Sequence, residues 1–233
     1  MKTTLLVPVL NEIVGLEQIM PQIGKDWVDE IIILDGGSTD GSVEYARGQG
    51  YTVVTQKEKG LRSGYLEALP FIHGDVIITF SPDGNSIASL IPALVAKMAE
   101  GYDMVIVSRY LSGAVSRDDD ALTAFGNWLF TTMINILHGG HYTDTMVMFR
   151  AYKRKLISAL DLDKDSTYAP EMFFSTRISW EPILSVRCAK RKLKVSEIPG
   201  DEPPRLGGER KLQIVRWGGA YMTQVLRELY YWR

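Results

Sequence analysis

The stretches LLVPVLNE (residues 5–12) and IIILDGGSTDGS (residues 31–42) decide the fold of this 233-residue chain. Each begins with a run of apolar residues that ends in a polar or glycine-rich turn, after Pro8 in the first and at Asp35 in the second. Between them, apolar residues at helical spacing occupy positions 13–23. A strand, a helix and a second strand in this order predict a βαβ unit with parallel strands.

The same alternation of strands and helices continues to about residue 110. The sequence predicts further strands at 51–55, 75–80 and 103–108, and helices at 42–49, 61–69 and 87–100. The strand runs are almost wholly apolar, which is typical of strands that are covered on both faces. We therefore predict an α/β protein with a mostly parallel, Rossmann-like sheet flanked by helices.

The second half of the chain is less regular. We predict a polar loop at 111–120, helices at 121–137, 167–181 and 212–233, and strands at 146–152 and within 187–198. The last helix is amphipathic. No internal repeat or linker separates a second domain, so we expect one domain over residues 1–211 with the helix 212–233 packed on it or on a membrane surface.

Composition limits the classes of protein that the chain can represent. Hydrophobic residues make up 45% and charged residues 23%, so a sizeable core can be buried. The net charge of −2 excludes a broadly basic nucleic-acid binder, and the single cysteine, Cys188, excludes an internal disulfide or a cysteine metal cluster. The first apolar run is too short for a signal peptide, and no run approaches ~18 apolar residues. We expect a cytoplasmic protein without a transmembrane helix.

Charge is distributed unevenly along the chain. Residues 1–185 carry a net charge of −8, whereas residues 186–233 carry 11 Lys and Arg against 5 Asp and Glu, a net charge of +6. Such a basic tail favours an anionic partner, either a phosphate or a membrane surface. The aromatic and arginine residues of 212–233 predict a peripheral membrane contact or an oligomer contact; core packing with a solvated face is the alternative.

Polar residues follow the predicted strands where each strand ends. Ligands of open α/β sheets bind in the crevice outside the carboxyl ends of the strands. The residues that follow these ends are Pro8, Asn11, Glu12, Asp35, Asp83, Asn85 and Arg109. We therefore expect one binding crevice along this edge of the sheet.

Several further stretches of the sequence resemble those of a known protein family. Together with the two opening stretches, KGLRSGYLEAL (59–69), IITFSPDGN (77–85) and VIVSRY (105–110) resemble the nucleotide-sugar-binding half of family 2 glycosyltransferases. GNWLFTTMINILHGGHYTDTMVMFRAYKR (126–154) and RLGGERKL (205–212) resemble the acceptor side of the dolichol-phosphate mannosyltransferase and polyprenyl-phosphate glycosyltransferase branch. The resemblance implies a GT-A fold, with a nucleotide-sugar half at about 1–110 and an acceptor half at about 111–211.

The resemblance also implies a site for a UDP- or GDP-linked sugar. Its residues would be Pro8, Leu10, Glu12, Asp35, Gly37, Lys59, Arg62, Asp83 and Asn85. A carboxylate such as Asp35 accepts hydrogen bonds, which suits a base N–H or a ribose hydroxyl. The family usually has two acids where this chain has Asp35 and Gly36, so the identity of the base stays open.

The family's Asp-x-Asp element holds Mg²⁺ or Mn²⁺ on the diphosphate, and hard cations prefer such oxygen ligands. Here the element reads Ser81-Pro82-Asp83, so the first acid is replaced. The resemblance assigns the metal to Asp83 and Asn85. If the reaction needs no metal, cationic side chains must neutralise the leaving diphosphate instead.

Basic residues are the candidates for holding phosphate. Arg205 and Lys211 suit the diphosphate or an acceptor phosphate, and Arg109 and Arg117 are further candidates for the acceptor phosphate. Arg109 could equally pair with a core carboxylate. Asp144 follows Thr143, and this pair matches a Thr-Asp pair near the acceptor in the family. The resemblance implies that Asp144 orients the sugar or acts as a base. The implied catalytic residues are thus Asp83, Asp144, Arg205 and Lys211.

The sequence therefore predicts an inverting glycosyltransferase that moves a sugar from a nucleotide diphosphate to a polyprenyl phosphate. Two alternatives stay open. The same fold could serve a saccharide or other hydroxyl acceptor, for which Asp144 or Glu171 would have to act as a base. Alternatively, the changed positions Ser81 and Gly36 could mark a nucleotide-sugar-binding protein whose catalysis has decayed.

Overall fold

The computed structural model describes residues 1–206 and 214–232. In these ranges seven strands form one sheet in the order β3-β2-β1-β4-β6-β5-β7. The strands are β1 (Thr3–Val9), β2 (Glu30–Asp35), β3 (Thr52–Thr55), β4 (Val76–Thr79), β5 (Met104–Ser108), β6 (Arg150–Lys153) and β7 (Val195–Pro199). Only β6 runs antiparallel to its neighbours within this sheet. The predicted mostly parallel α/β fold is confirmed.

Helices cover both faces of the sheet. They are α1 (Ile13–Ile19), α2 (Ser42–Gly48), α3 (Leu61–Ala68), α4 (Ile91–Ala99), α5 (Ala121–His138), α6 (Leu156–Ala159), α7 (Glu171–Phe174), α8 (Glu181–Lys190) and α9 (Ile214–Arg227). Successive residues of β1 contribute to opposite cores: Leu6 packs with one buried cluster and Leu5 with the other. This alternation buries both faces, as the apolar strand runs predict.

Two predictions about the second half are corrected by the structure. The segment 167–181 is not one helix: a turn of 3₁₀ helix and the short α7 precede Ser175, whose φ of 47° ends the helical run. Within 187–198, one strand, β7, is confirmed, but the start of the segment is helical, because α8 extends to Lys190. Residues 181–188 of α8 are all buried, so this helix lacks the alternating face that would reveal it in the sequence.

The C-terminal helix α9 packs on the body of the protein through α5, α7 and α8. Its inner face buries Tyr221 and Val225, and Trp232 is buried beyond its end. Glu228 forms an ion pair at 2.7 Å with Arg187 of α8, and both side chains are fully buried. Across the described ranges, no helix is both long enough and apolar enough to cross a membrane.

Candidate active site

The loops after β1 and β2 are joined by a network of hydrogen bonds. The Asn11 backbone N–H donates to Ser38 Oγ (2.9 Å), and Thr39 N–H donates to Asn11 Oδ1 (2.8 Å). Asp40 accepts from Ile13 N–H (3.0 Å) and from the Ser42 hydroxyl (2.6 Å). Burial opposes ionisation of Asp40, but these hydrogen bonds outweigh it and lower its pKa. The network fixes the walls of a crevice at the edge of the sheet.

Asp35 ends β2 inside this crevice. Its side chain is 1% exposed, it pairs in register with Val9 of β1, and its Oδ1 accepts from Ser38 N–H at 2.8 Å. Gly37 follows with φ of 97°, a conformation that glycine adopts without strain. Pro8 and Glu12 are half-buried and Leu10 is exposed at the end of β1, where the sequence places them. These residues form one side of the site.

Asp83 lies in the turn after β4 and is 4% exposed. Its Oδ1 accepts from Asn85 N–H at 3.2 Å. Helix α1 approaches this turn so closely that a Cβ on Gly15 would lie 2.2 Å from the Pro82 carbonyl oxygen. The turn is thus fixed beside the loop that follows β1.

Arg205 reaches Asp83 from the opposite side of the site. Its guanidinium lies 3.0 Å from Asp83 and 3.1 Å from Asp118. A backbone hydrogen bond joins the same two segments: Leu206 N–H donates to the Asp83 carbonyl at 2.9 Å. Burial would lower the pKa of Arg205, but the nearby carboxylates raise it. The structure therefore brings two predicted catalytic residues, Asp83 and Arg205, into direct contact.

A cavity of about 410 Å³ opens beside this ion pair. The ion pairs of Arg205 and Arg109 bring most of its charged lining residues together at what we call the charged end. The charged lining residues are Asp83, Arg109, Asp118, Asp119, Asp201, Glu202 and Arg205; the apolar lining residues include Phe130, Met146, Val147, Phe149, Trp217 and Tyr221. Among the lining residues described here, five carboxylates face two guanidinium groups. The protein therefore offers a net negative surface to any ligand that binds at the charged end.

Arg109 sits at the centre of a carboxylate cluster. Its Nε lies 2.7 Å from Asp144, and its Nη1 lies 3.2 Å from Glu202 and 3.4 Å from Asp119. Burial would lower the pKa of Arg109, but the carboxylates outweigh it and raise the pKa. Burial also raises the pKa of Glu202, against the pull of Arg109. Of the two roles that the sequence leaves open for Arg109, this geometry favours pairing with core carboxylates.

Asp144 is fully buried behind Arg109 and does not line the cavity. It accepts hydrogen bonds from Arg109 and from the backbone N–H groups of Met146 and Val147 at 3.2 Å. A carboxylate held this way orients Arg109. The geometry gives it no path to a substrate proton, so it suits a positioning role better than a base.

Three further predicted site residues, Arg62, Lys59 and Arg117, are not among the residues that line the cavity. Arg62 is buried, lies 2.7 Å from Glu171, and stacks on Tyr168 with its guanidinium carbon 3.8 Å from the ring centre. This pairing also occupies Glu171, the alternative base. Lys59 and Arg117 are exposed. Lys211 lies outside the described residues.

Several residues that line the cavity were not predicted as site residues from the sequence. Asp118 belongs to the run 118–120, which reads as a solvated loop; in the structure Asp118 binds Arg205, while Asp120 caps α5 by accepting from Thr123 N–H at 2.8 Å. No sequence motif identifies Glu202 as a site residue. Asn127 carries no charge and lies in an apolar helix, so only its position in the cavity distinguishes it.

A mostly parallel sheet flanked by helices, with a polar crevice at the carboxyl ends of its strands, is an architecture that many nucleotide-binding α/β proteins share. The model of the glycosyl transferase family 2 matches residues 4–161, and the chain belongs to this family. Glycosyltransferase AglJ of Haloferax volcanii is 27% identical over 228 residues, which cover 96% of this chain and 70% of that protein.

Solved structures support the same fold. Glucosyl-3-phosphoglycerate synthase of Mycobacterium tuberculosis, in complex with Mn²⁺, UDP and phosphoglyceric acid, matches with a TM-score of 0.66 at 18% identity, covering 98% of this chain and 78% of that one. Its complex with Mn²⁺ and UDP-glucose matches with a TM-score of 0.64, also at 18% identity, covering 98% and 78%. The chain is therefore a glycosyltransferase that uses a nucleotide sugar.

Proposed function

We propose that the protein transfers a sugar from a UDP- or GDP-linked donor to a polyprenyl phosphate, with inversion at the anomeric carbon. An acceptor phosphate oxygen attacks that carbon, and the bond to the diphosphate breaks. A phosphate acceptor is already anionic near neutral pH and needs no strong base, which agrees with the buried position of Asp144. The protein positions the two substrates and stabilises the leaving group.

The donor would lie along the crevice from Asp35 to Asp83. Asp35 is buried at the end of β2 and keeps a carboxylate for a base N–H or ribose hydroxyl, while Asp83 faces the charged end of the cavity. The Glu12 carboxylate, after β1, helps to raise the pKa of Arg205, so it lies on the same side of the site as Arg205. The diphosphate would therefore lie near Asp83 and Arg205.

The donor set at Asp83 fits a hard divalent cation such as Mg²⁺ or Mn²⁺. Asp83 and Asp118 present carboxylate oxygens to a shared cation, Arg205, and the cavity is net negative. No three acidic, histidine or cysteine side chains converge as a metal cluster within the described ranges. Asp83, with Asn85 beside it, would thus hold the ion together with phosphate oxygens. A bound cation would neutralise the charge that develops on the leaving diphosphate.

The proposal of a polyprenyl acceptor rests on one observation: the outer face of α5 is apolar and exposed. Residues 121–137 contain no charged side chain, and Phe125, Trp128 and Ile136 are all more than half exposed. Leu122 is also more than half exposed, and it lines the cavity as well. The rings of Phe125 and Trp128 lie 5.7 Å apart. The same helix borders the cavity, so a lipid chain could run from the phosphate site to this apolar face. We include a peripheral contact with the cytoplasmic face of a membrane in the proposal.

Transfer assays with UDP-glucose and GDP-mannose test the proposed function. We expect transfer to a long polyprenyl phosphate in detergent or liposomes, in the presence of Mn²⁺. The competing acceptor is phosphoglyceric acid, which is bound in the mycobacterial neighbour. Transfer to phosphoglyceric acid alone would overturn the polyprenyl proposal. Binding of the nucleotide sugar with neither hydrolysis nor transfer to either acceptor would favour a decayed binding protein.

The α5 surface makes a separate prediction. The double variant Phe125→Ser/Trp128→Ser should reduce liposome binding and transfer to a long polyprenyl phosphate at least tenfold, since burying each aromatic is worth about 1.5–3 kcal/mol. Transfer to a short, water-soluble polyprenyl phosphate should stay near the wild-type rate. The matched control is Val14→Ser/Phe71→Ser, which removes two half-exposed apolar residues elsewhere. Equal losses in both double variants, measured by co-sedimentation, would contradict the membrane contact.

Asp35 makes a prediction about the nucleotide. Asp35→Ala should weaken binding of the nucleoside diphosphate by about 1–3 kcal/mol, because a buried acceptor for a base or ribose donor is lost. Asp35→Asn keeps an oxygen acceptor and should lose less. Calorimetry measures the affinities, with thermal unfolding as the control for the lost Ser38 contact. An unchanged affinity in a folded Asp35→Ala protein would place the nucleotide elsewhere.

A further inference from the structure

Asn127 of α5 has a buried side-chain oxygen with no hydrogen-bond partner. The residue is 5% exposed and lines the cavity, and its Oδ1 is buried without a hydrogen bond. Buried amides are normally hydrogen-bonded, because an unpaired one loses its contacts with water and gains nothing in return. An unpaired buried oxygen that lines a cavity therefore points to a ligand group that would hydrogen-bond to it.

A second asparagine on the same helix shows the usual arrangement. Asn135 lies eight residues further along, and its amide makes two hydrogen bonds. Its Nδ2 donates to the Tyr142 carbonyl at 2.8 Å, and its Oδ1 accepts from Tyr142 N–H at 2.9 Å. Asn135 therefore stabilises the fold through both of its amide atoms, whereas the Asn127 oxygen has no such contact. The contrast marks the Asn127 oxygen as available to a ligand.

The surroundings of Asn127 select the chemical class of its partner. The cavity carries more carboxylates than guanidinium groups in its described lining, so an anionic group beside Asn127 would be repelled unless a cation accompanies it. Hydroxyl groups face no such penalty and can donate to the carboxylates. The amide offers one acceptor and one donor group, and the assignment of its oxygen and nitrogen is interchangeable. A hydroxyl, which both donates and accepts, matches it.

We propose that Asn127 binds a hydroxyl of the sugar carried by the nucleotide donor and so orients the sugar ring in the cavity. The inference rests on the proposed function, because that function supplies the sugar. Helical spacing supports the placement: Thr123, Gly126, Asn127 and Phe130 line the cavity along one side of α5. Asn127 lies one turn beyond Thr123, in a cavity that Asp118 and Asp119 also line. It is a binding and positioning residue and takes no part in proton transfer.

Binding measurements test this assignment. Asn127→Ala should weaken the affinity for UDP-glucose or GDP-mannose, whichever the wild type binds, about 3- to 10-fold, the effect of one hydrogen bond. The affinity for UDP or GDP without a sugar should stay within twofold of wild type. Calorimetry with all four ligands in the presence of Mn²⁺ gives both comparisons. An equal loss for the sugar-free diphosphate, or a change confined to the KM of the acceptor, would overturn the assignment.

Thermal unfolding separates this role from a structural one. Asn127→Leu should leave the melting temperature unchanged or raise it, because it replaces an amide whose buried oxygen is unpaired with an apolar group of similar size. Asn135→Ala should lower the melting temperature, since it breaks two hydrogen bonds. A lower melting temperature for the Asn127 variants, with nucleotide-sugar affinity intact, would show that Asn127 serves the fold. If the wild type binds no nucleotide sugar, the proposed function fails and the inference falls with it; normal wild-type binding with an unaffected variant defeats the inference alone.

Discussion

Asp83→Asn is expected to abolish the Mg²⁺ or Mn²⁺ dependence of nucleotide-sugar binding and to slow transfer about 10²- to 10³-fold, the size typical of losing one preorganised charge-stabilising group. Asp83 is nearly buried at the charged end of the cavity, in contact with Arg205 at 3.0 Å. The amide that replaces it keeps the shape and one oxygen but loses the negative charge that a hard cation requires. Calorimetry with and without EDTA measures the binding, and product formation measures the rate.

Asp201→Asn is the matched control for this change. Asp201 is an exposed acid in the lining of the same cavity, and it accepts from Val115 N–H at 2.9 Å. Its substitution alters the charge of the cavity by the same amount without touching the turn after β4. We expect a less than threefold effect on transfer, since exposed charges are screened by solvent. Comparable losses in the two variants would assign the effect to net charge, and wild-type binding that ignores EDTA would refute the metal assignment.

The edge of the sheet where the site lies could be predicted from the sequence because it depends on local patterns. Apolar runs mark β1, β2, β4 and β5, and parallel strands bring their carboxyl ends to one edge, which places Asp35, Asp83 and Arg109 there. The position of β6 between β4 and β5 could not be predicted, because its antiparallel pairing depends on long-range contacts. Helix α8, which is buried over residues 181–188, was missed for a related reason, since its sequence carries no amphipathic pattern.

For the inner parts of the candidate site, the sequence predicts which residue types take part but not which contacts they make. The sequence identifies Asp83 and Arg205 as a carboxylate and a cation suited to diphosphate chemistry, and the structure brings them together. It leaves open whether Arg109 faces a ligand or a carboxylate, because that depends on the loop that carries Glu202. The unpaired amide oxygen of Asn127 has no signature in the sequence, since an absent hydrogen bond is defined only by the packing around it.

Glu228→Gln is expected to lower the free energy of unfolding by about 3–5 kcal/mol, which for a chain of this length corresponds to roughly 10 °C in melting temperature. Arg187 and Glu228 are fully buried and joined by two contacts, at 3.0 Å from Nε and 2.7 Å from Nη2. Arg187 also donates to the Asp161 carbonyl and to Thr167 Oγ1, both at 3.2 Å. Removing the partner charge leaves a buried guanidinium without compensation, so the expected loss far exceeds that of a surface pair.

Two further variants show whether the unpaired charge causes this loss. Glu100→Gln breaks the exposed pair between Lys97 and Glu100 (2.9 Å) by the same chemical change and should cost less than 1 kcal/mol. The double variant Arg187→Met/Glu228→Leu removes both charges and should recover most of the stability lost in Glu228→Gln, because apolar packing replaces the ion pair. Chemical denaturation measures all three. If the double variant is as unstable as Glu228→Gln, the stability lies in the hydrogen bonds of Arg187 to Asp161 and Thr167, and charge compensation by Glu228 does not explain the loss.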